Sequence, residues 1–175
     1  GTYQSYAGSK WSRNIFPVDT LDLLEKERGE KIDIPRAGKM DWQPVREHVR
    51  EHGMRNSNCL AIAPTATIGN IAGATFSIEP IYKNIYVKSN MSGDFIVINF
   101  YLVEELKRLK LWDYEMIGKI KYHDGSIQEI HEIPEATRAK YKEVFEIEPE
   151  WIIRAAAHRG KWLDQSQSLN IFFRG

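Results

Sequence analysis

Cysteine, net charge and long apolar runs are all scarce in this sequence, and each shortage excludes something. Among 175 residues there is one cysteine, Cys59. A lone thiol cannot close an internal disulfide, which points to a reduced, cytoplasmic chain. The 24 basic and 24 acidic side chains cancel. A chain so balanced has no broad basic footprint for nucleic acid and no polybasic patch for a membrane surface. No stretch reaches the roughly 18 consecutive apolar residues of a membrane-spanning helix, and the first residues lack the charged-then-apolar order of a secretory signal. Internal repeats and low-complexity tracts are missing too. No nucleic-acid or membrane partner is expected. What is present is a 42% apolar composition, enough for a core in a chain about one domain long.

Periodicity gives a mixed helix and strand order. Gly1 to Pro17 is rich in glycine, serine and aromatics and reads as an irregular lead-in. Val18, Leu21 and Leu24 are spaced for a helix over Val18 to Arg28, with Gly29 as its stop. A polar loop runs from Glu30 to Met40. Asp41 is placed to cap a helix over Trp42 to His52, which Gly53 ends. Asn58 to Ala63 is a short apolar run with the look of a buried strand. A short helix is predicted from about Thr67 to Ala72, and Phe95 to Ile98 is strand-like. Helices follow over Tyr101 to Leu109, with Leu102, Leu106 and Leu109 on one face, and over Trp112 to Ile120. Tyr122 to Gly125 reads as a loop. A short helix starts at Pro134. The longest runs from Pro149 to Leu163, with Trp151, Ile152, Ala155, Ala156 and Trp162 available for burial. Ser168 to Phe173 reads as a last strand, just before Arg174 and Gly175. Strands separated by helices imply an α/β fold with parallel strands. Strands this few do not close a sheet, so the expectation is a piece of a larger domain.

The sharpest local feature is Ala63-Pro64-Thr65-Ala66-Thr67-Ile68-Gly69-Asn70, where a strand hands over to a helix. A helix start leaves N–H groups unpaired at the positive end of the helix dipole. Thr65 and Thr67 add hydroxyls to that turn, and Ala66 and Gly69 are small enough to let an anion reach the backbone. The result suits a phosphate. Taken alone, the residues favour a plainer reading, in which Thr65 or Thr67 is an ordinary N-cap. The Walker phosphate loop is excluded, because its glycines and lysine are missing.

Other constellations are weaker. His48-Val49-Arg50-Glu51-His52 matches the H-x-x-E-H pattern of a zinc peptidase, with both histidines on one helix face. Arg46, Glu47, Arg50 and Glu51 make that face a solvated one, and no third ligand is evident. No metal site is expected. Cys59 lies among Leu60, Ala61 and Ile62, so the expectation is a buried, inert thiol. His123, His131 and His158 read as isolated residues. Asp164-Gln165-Ser166-Gln167-Ser168 suits either a turn after the long helix or a network bracing the site.

Taken together, these segments resemble one family. Arg55-Asn56-Ser57-Asn58, Ala61-Ile62-Ala63-Pro64-Thr65-Ala66-Thr67-Ile68, Ile71-Ala72-Gly73 and Ser77-Ile78-Glu79-Pro80 are similar to the second half of the barrel in ribonucleotide reductase large (catalytic) subunits. The similarity continues through Tyr82-Lys83-Asn84, Tyr86-Val87-Lys88-Ser89, Tyr101-Leu102-Val103, Leu111-Trp112-Asp113 and Asp124-Gly125-Ser126-Ile127-Gln128. It closes with Ala156-Ala157-His158-Arg159 and Asp164-Gln165-Ser166-Gln167-Ser168-Leu169-Asn170. Gly8-Ser9-Lys10-Trp11-Ser12 fits the approach to this region. The match runs in order along nearly the whole chain and is most like the aerobic, diphosphate-reducing class.

The resemblance implies residues 1–175 as one fragment of a ten-stranded α/β barrel, with a lead-in over 1–40 and half-barrel over 41–175. It implies that Pro64, Thr65, Ala66, Thr67 and Ile68 hold the phosphates of a ribonucleoside diphosphate, Pro64 fixing the turn. It implies radical reduction of the ribose 2′-hydroxyl by a thiyl radical and a cysteine pair, to make deoxyribonucleotides for DNA. One cysteine cannot supply those thiols, and the family's asparagine–cysteine–glutamate motif is absent. No catalytic residue is therefore assigned, Cys59 included. The allosteric module and the radical-transfer tyrosines are likewise expected outside this chain. The piece itself is expected to bind no cofactor; the whole enzyme needs a dithiol reductant and a radical-generating small subunit with a di-metal centre. The expected partners are that small subunit, the remainder of the large subunit and the diphosphate substrate. A half-barrel exposes strand edges and apolar surface, so association with its complement or with itself is expected. The competing reading is a non-catalytic module that binds nucleotide or another subunit.

Overall fold

A computed structural model describes residues 1–36 and 38–173, with Asn90 described by its backbone alone. Ala37 of the expected polar loop, and Arg174 and Gly175 at the chain end, lie outside the described residues.

Helix starts and stops fall close to where capping chemistry puts them. Helix α1 (Thr20–Arg28) ends at Gly29, whose φ of 70° is the left-handed value glycine adopts readily. Helix α2 (Gln43–His52) is entered through Asp41, whose Oδ1 accepts the Gln43 N–H at 2.9 Å, although Trp42 holds the cap position itself. Helix α3 (Ala66–Ala72) is short. Helix α4 (Phe100–Arg108) is capped by Asn99, whose side-chain oxygen accepts from Tyr101 N–H at 3.1 Å. Asp113 caps α5 (Tyr114–Tyr122) by accepting the Met116 N–H at 2.8 Å. Helices α6 (Glu135–Lys140) and α7 (Pro149–Gly160) follow.

The strands differ from expectation. Strands β1 (Ile85–Asn90) and β2 (Gly93–Ile98) pair as an antiparallel hairpin, Ile85 opposite Ile98 and Asn90 opposite Gly93. The strand-like run at Phe95 to Ile98 forms the last four residues of β2. The runs Asn58 to Ala63 and Ser168 to Phe173 are not strands. A parallel ladder needs a neighbour to exchange hydrogen bonds with, and neither run has one among the described residues. An extended apolar segment becomes a strand only by pairing, which local residue preference does not supply.

Contacts divide the chain into two units: Gly1–Pro64 with Glu150–Leu169, and Thr65–Pro149 with the segment from Asn170. The first is built on aromatic packing. Phe16 is buried; Trp11 meets it edge-on at 5.1 Å between ring centroids, Trp42 at 6.1 Å, and the Arg46 guanidinium lies over its ring. Trp42 stacks on Trp162. On α7 the inward stripe is Ile152 and Ala156, one turn apart. Trp151 and Ala155, expected to be buried, are exposed because each sits about 100° around the helix from that stripe.

In the second unit, Leu102 and Leu106 of α4 meet Met116 and Ile120 of α5. Ile127, Ile130 and Ile133 complete this core from a segment without a regular helix. There Ile130 N–H donates to Ile127 O and Ile133 N–H to Ile130 O, so consecutive turns bring every third residue inward. Leu109, expected on the buried face of α4, is the helix C-cap and is 39% exposed. Leu106→Ala should lower the free energy of unfolding in urea by about 2–5 kcal/mol, the usual cost of emptying a packed leucine site. Leu109→Ala should change it by no more than about 0.5 kcal/mol.

Candidate functional site

The first turn of α3 has an unusual build. Thr65 occupies the N-cap position with φ 49° and ψ 29°, in the left-handed region, and caps nothing with its side chain. Its carbonyl accepts the Gly69 N–H at 2.6 Å. Its hydroxyl oxygen accepts the Ser77 N–H at 2.9 Å, and Ser77 also has a positive φ of 53°. The loop after the helix is thus tied back to the helix start. Gly69 is buried beneath that loop, and a Cβ there would lie 3.1 Å from the Phe76 ring and 3.2 Å from the Ala74 carbonyl oxygen. Ala66, Thr67 and Ile68 are exposed, and the leading N–H groups of a helix have no carbonyl within it to meet. Pro64 precedes Thr65 in the chain and is exposed. The ordinary capping role is therefore not the one Thr65 plays.

The second constellation lies in the first unit, around Asp164. Its Oδ2 accepts the Cys59 N–H at 2.6 Å and its Oδ1 accepts the Leu60 N–H at 3.0 Å. Asn58 Nδ2 donates to the Asp164 carbonyl at 2.9 Å, and Trp11 Nε1 donates to Ser57 O at 2.8 Å. A carboxylate and an amide thus take the place a strand ladder would have filled. Farther along the same polar run, Gln167 Nε2 donates to Ala156 O at 2.8 Å, pinning the chain against the end of α7. Within the run Asp164 to Ser168, Asp164 braces the amides of Cys59 and Leu60, and Gln167 braces α7. Within the second unit, Asn170 donates to the Glu79 carboxylate through both its backbone and side-chain nitrogens.

Cys59 departs from expectation. It is exposed and free. Its apolar neighbours signalled burial, but Leu60 is 44% exposed, because the segment lacks a sheet to enter. Partial desolvation pushes the thiol pKa above its ordinary value, and the Asp164 charge adds to the effect. His48 and His52 stand together on the exposed face of α2, ring centroids 4.5 Å apart. Among the described residues no three His, Cys, Asp or Glu side chains come together as a metal site. No helix among them is long and apolar enough to cross a membrane.

Known proteins resemble this chain along its length. A family model for the ribonucleotide reductase barrel domain matches residues 1–175. The ribonucleoside-diphosphate reductase subunit alpha of Chlamydia trachomatis serovar D is 52% identical over 173 residues, covering 98% of this chain and 16% of the relative. The large subunit from Trypanosoma brucei brucei is 43% identical over 174 residues, again 98% of this chain but 21% of the relative. Among solved structures, the Actinobacillus ureae class Id ribonucleotide reductase alpha subunit superposes with a TM-score of 0.60 at 26% identity, over 89% of this chain and 26% of that one. The chain thus spans about a fifth of the length of the curated relatives it matches.

Asp164→Asn should raise the alkylation rate of Cys59 by iodoacetamide at pH 8 several-fold. The substitution removes a negative charge that disfavours the thiolate, and it loosens the brace on the Cys59 amide. The rate is read by mass spectrometry.

Proposed function

This chain belongs to the ribonucleotide reductase barrel-domain family, and on that premise we propose that it is part of the catalytic subunit of a cytoplasmic ribonucleoside-diphosphate reductase, contributing barrel scaffold and the turn that holds the substrate's phosphates. The observation that carries this reading is the family match along all 175 residues, with 98% of the chain aligned at 52% identity to a subunit of that name.

For the turn, the support is its division of labour. The Thr65 hydroxyl oxygen accepts from the Ser77 N–H, which sets the shape of the turn. The exposed Thr67 hydroxyl and the leading N–H groups of Ala66, Thr67 and Ile68 are the donors offered to a diphosphate, and Pro64 restricts the backbone just before them. Charge-assisted bonds from such donors are stronger than neutral ones.

Reduction of the ribose requires a thiyl radical and a dithiol, which the remainder of the subunit is proposed to supply. Cys59 is assigned no catalytic role, because it lies outside the family's cysteine motif. As the family membership suggests, the radical generator is proposed on a separate small subunit with a di-metal centre. A dithiol reductant regenerates the whole enzyme. The second reading, a non-catalytic module for nucleotide, phosphate or subunit binding, is favoured by the single cysteine.

A pull-down from native extract with this chain, followed by a diphosphate reduction assay, separates the two. Recovery of a cysteine-bearing partner with reductase activity supports the enzyme; nucleotide binding with neither partner nor activity supports the module. In the enzyme reassembled with its remaining portions, Thr65→Ala combined with Thr67→Ala should weaken diphosphate binding roughly ten- to a hundredfold, the range expected for losing a hydrogen bond to a charged group. Unchanged affinity and KM would remove the phosphate role.

A further inference from the structure

The most enclosed polar cluster in the second unit is centred on Asn84 and Glu143, which are 0% and 3% exposed. Asn84 and Asn99 flank the hairpin, one just before β1 and the other just after β2. Asn99 N–H donates to Asn84 O at 2.7 Å, and Asn99 Nδ2 donates to Asn84 Oδ1 at 2.9 Å, closing the base of the hairpin. Asn84 Nδ2 reaches the carbonyls of Tyr141 at 2.9 Å and Gly125 at 3.3 Å. The Asn84 N–H points the other way, to Glu143 Oε1 at 2.7 Å. Opposite that carboxyl is Gly125, with φ of 100°; a Cβ there would fall 2.5 Å from the same oxygen. The charged groups facing Glu143 are Glu146, Lys83 and Asp124. Lys83 and Asp124 pair with each other, and the Glu146 carboxylate takes the Glu143 N–H at 2.8 Å and the Ser126 hydroxyl. The cluster therefore gives Glu143 backbone donors, little water and no cation of its own.

We propose that Glu143 is a proton-operated latch on the β1–β2 hairpin: its neutral carboxyl lets the base of the hairpin stay shut, and its ionisation favours opening there. An ionised carboxylate in this enclosure has lost its hydration, and local opening restores it. The Asn84 N–H favours the ionised form, but burial outweighs it and pushes the Glu143 carboxyl up to about 7, from an ordinary value of 4.5. Between those two values the closed state binds more protons than the open one. Closure is therefore strongest below about pH 4.5, weakens as pH rises and levels off above about pH 7.

Native-state hydrogen exchange resolves this, with intrinsic exchange rates corrected for pH. Between pH 5 and pH 7.5 the protection of the hairpin amides should fall at least about tenfold, because each pH unit inside the window changes the opening equilibrium by up to about tenfold. The amides of α4 and α5 should not follow. In Glu143→Gln the hairpin should stay protected across the range. Should that variant not fold, Glu146→Gln removes a facing negative charge and should move the midpoint to lower pH. Hairpin protection that ignores pH, that falls in step with α4 and α5, that keeps its pH dependence in Glu143→Gln, or that keeps its midpoint in Glu146→Gln would overturn the proposal.

Discussion

A fully buried asparagine must satisfy its amide within the protein, and the second unit is arranged around Asn84 doing so. Each of its polar groups is used: the N–H toward Glu143, the side-chain nitrogen toward Tyr141 and Gly125, and both oxygens toward Asn99. Asn84 stands just before β1, and these partners come from the end of β2, the turn after α5 and the segment after α6. One side chain therefore sets where several elements meet. Asn99 extends the arrangement, because its side-chain oxygen also caps α4, whose Leu102 and Leu106 form the apolar core. Leaving any of these groups unpaired would cost about 1–3 kcal/mol, a large share of a domain's net stability.

The α3 turn follows the same economy of polar groups on a smaller scale. A helix seven residues long gains little from its own hydrogen bonds, so its shape depends on what is tied to it. Thr65 accepts from Ser77, and the loop between them packs over Gly69, where a Cβ would press on the Phe76 ring and the Ala74 carbonyl. The left-handed backbone of Thr65 and Ser77 is unfavourable for residues with a side chain and persists because the surrounding contacts demand it. In the functional reading, a turn held this way presents its donors to a phosphate without first being ordered by it.

The Asp164 brace shows what happens to an extended segment without a strand beside it. Buried or half-buried backbone N–H groups need acceptors, and a carboxylate can serve two of them at once. The segment remains open to water on its other side, which is why Cys59 is accessible despite apolar neighbours. The chain covers about a fifth of its curated relatives, and a barrel strand acquires its ladder from neighbours distant in sequence.

The sequence by itself determined what is local. Helix positions followed from apolar spacing and from stops such as Gly29 and Gly53, because those signals act within one or two turns. The resemblance to ribonucleotide reductases was also legible, since it rests on ordered segments from Gly8 to Asn170, and the turn from Pro64 to Ile68 stood out as a break between an apolar run and a helix. Tertiary structure decided what depends on distant partners: that β1 pairs with β2 while Asn58 to Ala63 pairs with nothing, that Thr65 spends its hydroxyl on Ser77, that Asp164 grips Cys59 and Leu60, and that Glu143 is enclosed. A hydrogen bond between residues 12 or 105 positions apart leaves no periodic trace in the chain. Its acceptor is an ordinary polar residue until folding brings the donor within reach.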